Sequence, residues 1–402
     1  MAGAPAPSAR QGFLAGITRN IVLLGFVSLF TDLSSQAVFP LLPLFMTSVL
    51  GAGAVAVGAV EGAAETTASL LKVASGYWSD RVRRRKPFVL LGYSLSALTK
   101  PLFALASAWP FVLVVRIVER IGKGVRDAPR DAIVAESCAP EVRGKAYGFH
   151  RAMDGTGSVL GALAAALLLP LLGYRKLFLV AFLPGILAVG AILPVKDAPA
   201  PEEKGEKQRI SILRLPGALK LFLLIAGLFS LGHFGYAFLL LKAKGIGLAD
   251  TSALWLYILY YAVYSLCSTP LGMLSDRIGR KPLLLGSYLL FGAAALALLF
   301  SSTPVHLIAA FALYGVFFAM NDGSQRAFAV DLAPKEMRAT ALGALHTATG
   351  LAALPGGLIA GLLWESLGPE ATFLYGAALA ALTALLFIIF IVVRRTHDTA
   401  EA

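Results

Sequence analysis

Charged residues are scarce in this sequence of 402 residues, since Asp, Glu, Lys and Arg together make up only 14% of it. Hydrophobic residues make up 57%. A soluble globular domain usually contains about 25% charged residues and about 45–50% apolar ones. An apolar excess of this size has to face something other than water. The composition therefore excludes an ordinary soluble protein and predicts an integral membrane protein.

The usual sequence marks of catalysis and of bound cofactors are also missing. There is no Gly-Lys-Ser/Thr loop that would cradle nucleotide phosphates, and no His/Glu pair at the spacing of a metal site. The two cysteines, Cys138 and Cys267, have neither metal-ligand spacing nor the pattern of a disulfide framework. We therefore expect no catalytic residues, no metal, no cofactor and no ATP-driven pumping, and the chain is not predicted to be an enzyme.

Long apolar runs are abundant instead. Because roughly 20 apolar residues cross a bilayer core about 30 Å thick, each run of this length predicts one membrane-spanning helix. The first run follows Arg19 and is too long for a signal-peptide core. Twelve spans are predicted, at residues 20–47, 53–78, 87–108, 110–134, 144–170, 173–195, 217–241, 250–275, 282–302, 305–332, 339–364 and 370–393.

The formal net charge is +12, and the basic residues are distributed along the sequence in agreement with this predicted topology. Lysines and arginines concentrate before the first span, in the even-numbered connections between spans and after the last span. The odd-numbered connections contain few of them. Cytoplasmic segments of membrane proteins carry this excess of Lys and Arg. The pattern therefore predicts that both termini are cytoplasmic, and it argues against a nucleic-acid partner.

The second connection is repeated in the eighth. Gly76-Tyr-Trp-Ser-Asp80-Arg81 follows span 2 and Gly272-Met-Leu-Ser-Asp276-Arg277 follows span 8, about 195 residues later. An internal repeat of this length divides the chain into two homologous halves. We expect a cytoplasmic tail at 1–19, six-helix bundles at 20–195 and 217–393, a cytoplasmic linker at 196–216 and a cytoplasmic tail at 394–402.

The repeated loop, Gly-x-x-Ser-Asp-Arg-x-Gly-Arg-Lys, resembles the signature loop of the major facilitator superfamily. The first copy has Arg83 and Arg84 where that family usually has Gly-Arg. The resemblance implies an all-α integral membrane fold in which two pseudo-symmetric six-helix bundles rock about a solute bound between them. It also implies a conformational switch at both loops, whose cationic segments pair with the ends of spans 4 and 10. The switch residues would be Gly76, Asp80, Arg81, Arg84 and Lys86 in the first copy, and Gly272, Asp276, Arg277, Arg280 and Lys281 in the second.

The first half further resembles bacterial drug:proton antiporters, which carry Arg-x-x-Gln-Gly-x-Gly in span 4. Here the segment is Arg116-Ile-Val-Glu119-Arg120-Ile-Gly122, so that Glu and Arg replace the Gln-Gly pair. The glycines of the antiporter span 5 are matched by Gly148, Gly157 and Gly161, although Ala162 replaces the proline that follows. This resemblance implies proton-coupled efflux of a small organic solute.

Several ionisable residues fall inside the predicted spans, where a charge is costly and usually faces a cavity or a partner. Asp32 and Glu65 are predicted to carry the coupling proton, and Arg116 to pair with a solute anion or with a coupling carboxylate. A fixed salt bridge is the alternative for Asp32, and solvation is expected for Glu61. His150 and Asp154, four residues apart, suit a switch near neutral pH, and a static cytoplasmic gate formed with Arg151 is the alternative. The full predicted pathway comprises Asp32, Gln36, Glu61, Glu65, Arg116, His150, Arg151, Asp154, Tyr257, Tyr261 and Tyr264.

Two further patterns concern the walls of a cavity. The three tyrosines of span 8 share one helical face, which suits either packing or a wall for an amphipathic ligand. Charges at three- and four-residue steps along span 4, with counterparts in span 10, predict a mutually paired network near the cytoplasmic surface. Its members are Arg120, Lys123, Asp127, Arg130, Asp131, Asp322 and Arg326. The basic span 4 favours an organic anion or zwitterion as solute.

We therefore expect a secondary transporter, a monomer in the bacterial inner membrane, whose partners are a small-molecule substrate, protons and the lipid bilayer. Uptake or facilitated diffusion is the alternative within transport. A non-transporting membrane sensor or a membrane-embedded enzyme is the alternative from another class.

Overall fold

The computed structural model describes residues 17–82, 84–139, 142–197, 215–334 and 337–400, and all of their side chains except those of Tyr77, Asp80 and residues 394–400. Within these residues the chain forms fourteen α-helices, one 3₁₀ helix and no strands. The helices are α1 Arg19–Gln36, α2 Leu42–Ser48, α3 Ala54–Val82, α4 Lys86–Ala104, α5 Trp109–Glu136, α6 Arg143–Val180, α7 Phe182–Ile192, α8 Gly217–Gly232, α9 Tyr236–Gly245, α10 Asp250–Ile278, α11 Arg280–Leu299, α12 Pro304–Asp331, α13 Arg338–Leu367 and α14 Pro369–Ala400.

These helices make twelve passages across a membrane. Eight segments are long and apolar enough to span a bilayer by length and composition. One of them, Arg143–Ile192, contains two passages, because the chain reverses at Gly173, which has a φ of 69°. Helices α3, α4 and α5 fall outside the apolar criterion because each carries charged side chains, and they supply the remaining three passages. The predicted all-α, twelve-span fold in two bundles is confirmed.

Span 1 and span 7 are both broken part of the way along. Span 1 consists of α1, a 3₁₀ turn at Phe39–Leu41 and α2, whereas span 7 consists of α8 and α9. Pro40 and Pro43 end the first helix, because proline lacks the N–H and clashes with the preceding turn. In span 7 the break falls at His233, where ψ is 94°. The equivalent breaks reflect the internal repeat, and they place Phe39 and His233 where the α-helix is interrupted.

The two halves contact each other along α3 and α13, and also along α6 and α10. At the α3–α13 seam the backbones approach closely, so that a Cβ built on Gly58 would lie 2.0 Å from the carbonyl oxygen of Gly357. A Cβ on Gly361 would lie 2.6 Å from Cα of Val55. Small residues permit this close approach of membrane helices. The seam therefore depends on glycine on both sides.

One end of the molecule is closed by hydrogen bonds between the halves. Ser48 Oγ and Tyr174 OH donate to Asp250 Oδ2 at 2.8 and 2.5 Å, and the Val55 N–H donates to Glu365 Oε1 at 2.8 Å. We call this the closed end, and it contains residues 48–54 and 245–250. The opposite end, with residues 84–86 and 278–280, carries the two repeated loops, and we call it the motif end.

Candidate functional site

A cavity of about 940 Å³ lies between the two halves. Helices α1, α3, α5 and α6 line it from the first half, and α9, α10, α12 and α13 line it from the second. Eight of the predicted pathway residues line it: Asp32, Gln36, Glu65, Arg151, Asp154, Tyr257, Tyr261 and Tyr264. All seven residues of the predicted charge network line it as well: Arg120, Lys123, Asp127, Arg130, Asp131, Asp322 and Arg326. Glu61, Arg116 and His150 do not.

The two walls of this cavity differ in chemistry. The wall from the first half is rich in charged side chains, whereas the deep part of the opposite wall consists mainly of tyrosines. Ring centroids of Tyr236 and Tyr257 lie 5.1 Å apart, and those of Tyr257 and Tyr261 lie 6.2 Å apart. Tyr257 OH donates to Gln36 Oε1 at 2.8 Å, which links the walls. The face of span 8 that carries the tyrosines therefore borders the cavity.

Beside the cavity, a cluster of buried charges is centred on Glu119. This carboxylate lies 3.3 Å from Arg116, 3.6 Å from Arg120 and 3.9 Å from Lys100. Arg116 and Glu119 are fully buried, and Lys100 is 1% exposed. Sequence analysis missed Lys100, although a lysine in the otherwise apolar run 87–108 is the kind of signal that membrane composition makes informative.

Arg116 is held by two carboxylates. Its guanidinium is 3.3 Å from Glu61 of α3 and 3.3 Å from Glu119 of its own helix. The predicted solvation of Glu61 is therefore wrong, because α3 turns this residue toward α5. The structure also places neither Asp32 nor Glu65 within 4.0 Å of Arg116. A contact between Arg116 and a solute would require this cluster to rearrange.

The aromatic ring of Phe39, at the break in span 1, lies among the same cations. Its centroid is 3.8 Å from the Arg116 guanidinium carbon, 4.0 Å from Lys100 Nζ and 5.4 Å from the Arg120 guanidinium carbon. Cations within about 6 Å of a ring face are attracted by its quadrupole. The break in span 1 thus sets an aromatic surface between the buried cluster and the cavity, which Phe39 and Arg120 both line.

Asp32 and Glu65 lack strong partners. Asp32 accepts a long hydrogen bond of 3.5 Å from Ser158 Oγ, and Glu65 accepts one of 3.4 Å from Ser69 Oγ. Among the described side chains, no Lys, Arg or His nitrogen lies within 4.0 Å of either carboxylate. The fixed salt bridge considered for Asp32 is therefore not present in this conformation. Both carboxylates border the cavity.

His150, Arg151 and Asp154 come together on α6, as their spacing predicts. The Asp154 carboxylate lies 3.2 Å from the Arg151 guanidinium and 3.8 Å from His150 Nδ1, and it also accepts a hydrogen bond from Ser28 of α1. His150 is only 3% exposed and is packed away from the cavity. Asp154 therefore carries more partners than Asp32, which lies near it on the same wall.

The charge network near the motif end is paired in part, since Lys123 has no ion pair among the described residues and Arg120 pairs with Glu119 outside the network. Arg130 lies 2.8 Å from Asp131 and 3.8 Å from Asp127, and Arg326 pairs with Asp322 on α12. The network also lines the mouth of the cavity, so its paired residues are at the same time cavity-lining residues.

The repeated loops place one arginine each against the end of a neighbouring span. Arg85 pairs with Glu136 at the end of α5, and Arg280 Nε lies 3.4 Å from Asp331 at the end of α12. These are spans 4 and 10, so the expected pairing is found. Arg85 takes the role in the first copy, where Arg84 was predicted to act.

The other switch residues are less constrained. Arg280 also pairs with Asp276, and Lys86 Nζ donates to the carbonyl oxygen of Leu193 at 2.7 Å. Gly279 joins α10 to α11 with a φ of 92°, which favours glycine. The side chain of Asp80 lies outside those described. Four of the remaining residues are exposed or without close neighbours at the motif end: Arg81, Arg84, Gly272 and Arg277. Lys281 is half-buried, and Gly76 faces Ala128 of α5.

Comparison with known proteins agrees with this architecture. The sequence matches the family model of the Major Facilitator Superfamily over residues 24–249 and 223–402. It is 41% identical over 380 residues to an MFS-type transporter, MJ1317, of Methanocaldococcus jannaschii, covering 92% of this chain and 95% of that one. It is 33% identical over 150 residues to the multidrug resistance protein MdtH of Proteus mirabilis, covering 37% of this chain and 35% of that one.

Among solved structures, the nucleoside transporter NupG superposes with a TM-score of 0.76. The superposition covers 93% of this chain and 99% of that one at 16% sequence identity, so it shows the shared fold alone. The full-length family match and the close relative go further than the fold. This chain belongs to the Major Facilitator Superfamily and is a multi-pass secondary transporter of the membrane.

Proposed function

We propose that this transporter exports a small organic solute in exchange for protons, by alternating access of one cavity to the two sides of the membrane. The observation that carries the proposal is the pair of cavity carboxylates, Asp32 and Glu65, that lack a cation within 4.0 Å among the described residues. A carboxylate that is already locked in an ion pair cannot readily exchange a proton, whereas these two can.

Competition for one carboxylate provides the coupling. When Asp32 or Glu65 is ionised, it attracts a basic or hydrogen-bond-donating group of the solute. When the same carboxylate takes up a proton, that attraction is lost and the solute is released. Because the solute and the proton bind to the same site but never at the same time, they cross the membrane in opposite directions. The energy for the cycle comes from the difference in proton binding on the two sides.

The distribution of basic residues indicates how the protein is oriented in the membrane. The motif end carries Arg81, Arg84, Lys86, Arg277 and Lys281, and the positive-inside rule places such an end in the cytoplasm. The cavity mouth is bordered by the charge network at this same end, so in the proposed orientation the cavity opens to the cytoplasm and the state is inward-facing. An exporter loads its solute in this state. The partial similarity to a protein named for multidrug resistance also favours export.

Transport by the purified protein in liposomes tests the proposal. A panel of amphipathic fluorescent solutes (cationic, zwitterionic and neutral) is presented to vesicles with and without an imposed pH gradient. We expect gradient-driven accumulation of at least one solute, abolished by a protonophore. Asp32→Asn or Glu65→Gln should remove the response to the gradient while solute exchange at equal pH persists. Glu370→Gln, at the closed end beside Lys242, serves as the matched carboxylate control.

Two results would contradict the proposal. Transport that runs equally well after the gradient is collapsed would indicate facilitated diffusion. Gradient-driven transport that survives in both carboxylate variants would remove Asp32 and Glu65 from the coupling mechanism.

A further inference from the structure

The cluster around Phe39 has more positive than negative groups. Its cations are Lys100, Arg116 and Arg120, and its carboxylates are Glu61 and Glu119. Three positive charges against two negative ones leave an excess of one. Two further cations follow along α5. Lys123 lines the cavity, and Arg126 donates to Ser96 and lies 3.9 Å from Asp127. The excess of one is that of the cluster itself.

Several donors in the cluster lack an acceptor. Among the described residues, Lys100 Nζ and the Nε atoms of Arg116 and Arg120 have no hydrogen-bond partner. Glu119 is shared by all three cations, so it cannot satisfy each of them. An uncompensated charge at such depth is unfavourable unless an ion of opposite sign or water is present. Guanidinium groups stay protonated, so the two arginines do not relieve the excess.

The cluster meets the cavity where Phe39 and Arg120 line the wall, and Arg120 remains 12% exposed. Tyr236 faces the same region from the other half, and its OH donates to the Phe39 carbonyl oxygen at 3.4 Å. An entering group would therefore find cationic donors on one side and aromatic surfaces on the other. A carboxylate attached to an aromatic or otherwise planar body matches both.

We propose that the Phe39 end of the cavity is a binding subsite for a carboxylate of the solute, held by Arg120 and by the excess charge of Lys100. This inference rests on the proposed transport of an organic solute and deepens it. Together with the carboxylates Asp32 and Glu65 elsewhere on the wall, it defines the solute as an amphipathic zwitterion. Arg116 is not a direct ligand, because its two carboxylate partners already occupy it.

Equilibrium binding to the purified transporter in detergent tests this subsite without any transport step. The probes are indole-3-acetate and tryptamine, which share a ring and carry opposite charges. We expect indole-3-acetate to bind, and both Lys100→Met and Arg120→Gln to raise its Kd by about 10-fold or more, because either change balances the cluster. Glu61→Gln should lower the Kd, because it increases the positive excess. Tryptamine binding should change little in the Lys100 and Arg120 variants.

Stability gives a second readout. If Lys100 supplies excess charge, Lys100→Met leaves the melting temperature of the unliganded protein unchanged or raises it. If Lys100 were merely a structural partner of Glu119, the same change would lower it, and the proposal would be overturned.

The matched control is Lys72→Gln, since Lys72 lines the cavity outside the cluster. We expect it to retain the wild-type Kd for indole-3-acetate. If Lys72→Gln weakened indole-3-acetate binding as much as the cluster variants do, the effect would come from the overall charge of the cavity, and the subsite would be refuted. The subsite would also be refuted if indole-3-acetate failed to bind at millimolar concentration. Unchanged binding in both the Lys100 and Arg120 variants would refute it as well. Proton-driven transport of a solute without an acidic group would leave the proposed export intact and refute the subsite alone.

Discussion

Glu61 Oε2 of α3 lies 3.3 Å from a guanidinium nitrogen of Arg116 on α5, and this ion pair joins two spans beside the cavity. Arg116 is fully buried, whereas the Glu61 side chain is 20% exposed. The pair keeps Arg116, which matches the arginine of the antiporter segment, away from the cavity surface. Its role in this conformation is to connect α3, the helix that forms the seam with the second half, to the charged span 4.

This relationship predicts how Arg116 variants behave. Arg116→Met should lower stability by about 3–5 kcal/mol, because it leaves buried carboxylates without their partner. Adding Glu61→Gln should recover part of the loss, and the coupling between the two sites is read from a double-mutant cycle. The measurement is thermal unfolding in detergent. Additive losses from the two changes would show that the pair contributes nothing to stability.

The ion pairs of the two repeated loops should contribute differently to the stability of the protein, although their contacts are equivalent. The Arg85–Glu136 side chains are 10% and 15% exposed, whereas those of Arg280 and Asp331 are 28% and 51% exposed. An exposed ion pair contributes about 0–1 kcal/mol, and breaking a buried pair costs about 3–5 kcal/mol. We expect Arg85→Gln to lower the melting temperature clearly more than Arg280→Gln.

The exposed Arg277 provides the control for this pair of variants, since Arg277→Gln removes a charge from the same loop without a described ion pair. Equal effects of Arg85→Gln and Arg280→Gln would contradict the dependence on burial.

At the seam between the halves, Gly58→Ala should be destabilising by about 1–3 kcal/mol, because the new methyl group would overlap the Gly357 carbonyl. Gly148→Ala on α6 is the matched control, since a Cβ there meets nothing within 4 Å. Alanine favours the helix over glycine by about 1 kcal/mol, so the control should be neutral or stabilising. Thermal unfolding measures whether Gly58→Ala lowers the stability while Gly148→Ala leaves it unchanged or raises it. A destabilised Gly148→Ala would show that the close approach at Gly58 is not the cause.

The orientation can be tested by cysteine labelling in intact cells, in a background where Cys138 and Cys267 are replaced by serine. Arg84→Cys at the motif end should react only with membrane-permeant reagents, and Val49→Cys at the closed end should react with impermeant ones. Val49 is 46% exposed, which makes it accessible for this purpose. The reverse pattern would invert the molecule and turn the inward-facing assignment into an outward-facing one.

Local properties of the sequence predict much of the architecture of this protein. Apolar runs predicted all twelve passages across the membrane, including those of α3, α4 and α5, which also carry charged side chains. Each helix must satisfy its backbone hydrogen bonds within the bilayer. The repeated loops determined the two halves and the pairing of a loop arginine with the ends of spans 4 and 10. Helical periodicity also placed the tyrosines of span 8 and the charges of span 4 on faces that border the cavity.

The partners of the buried charges were decided only by the tertiary structure. Periodicity brings residues to one face of a helix, but it does not say which neighbouring helix that face meets, or at what height. Thus Arg116 met Glu61 and Glu119 instead of Asp32 or Glu65, and Lys100 joined the cluster from α4. The break in span 1 brought Phe39 among the cations. Ion pairing depends on separations of a few ångströms between different spans, and those separations are set by how whole helices pack.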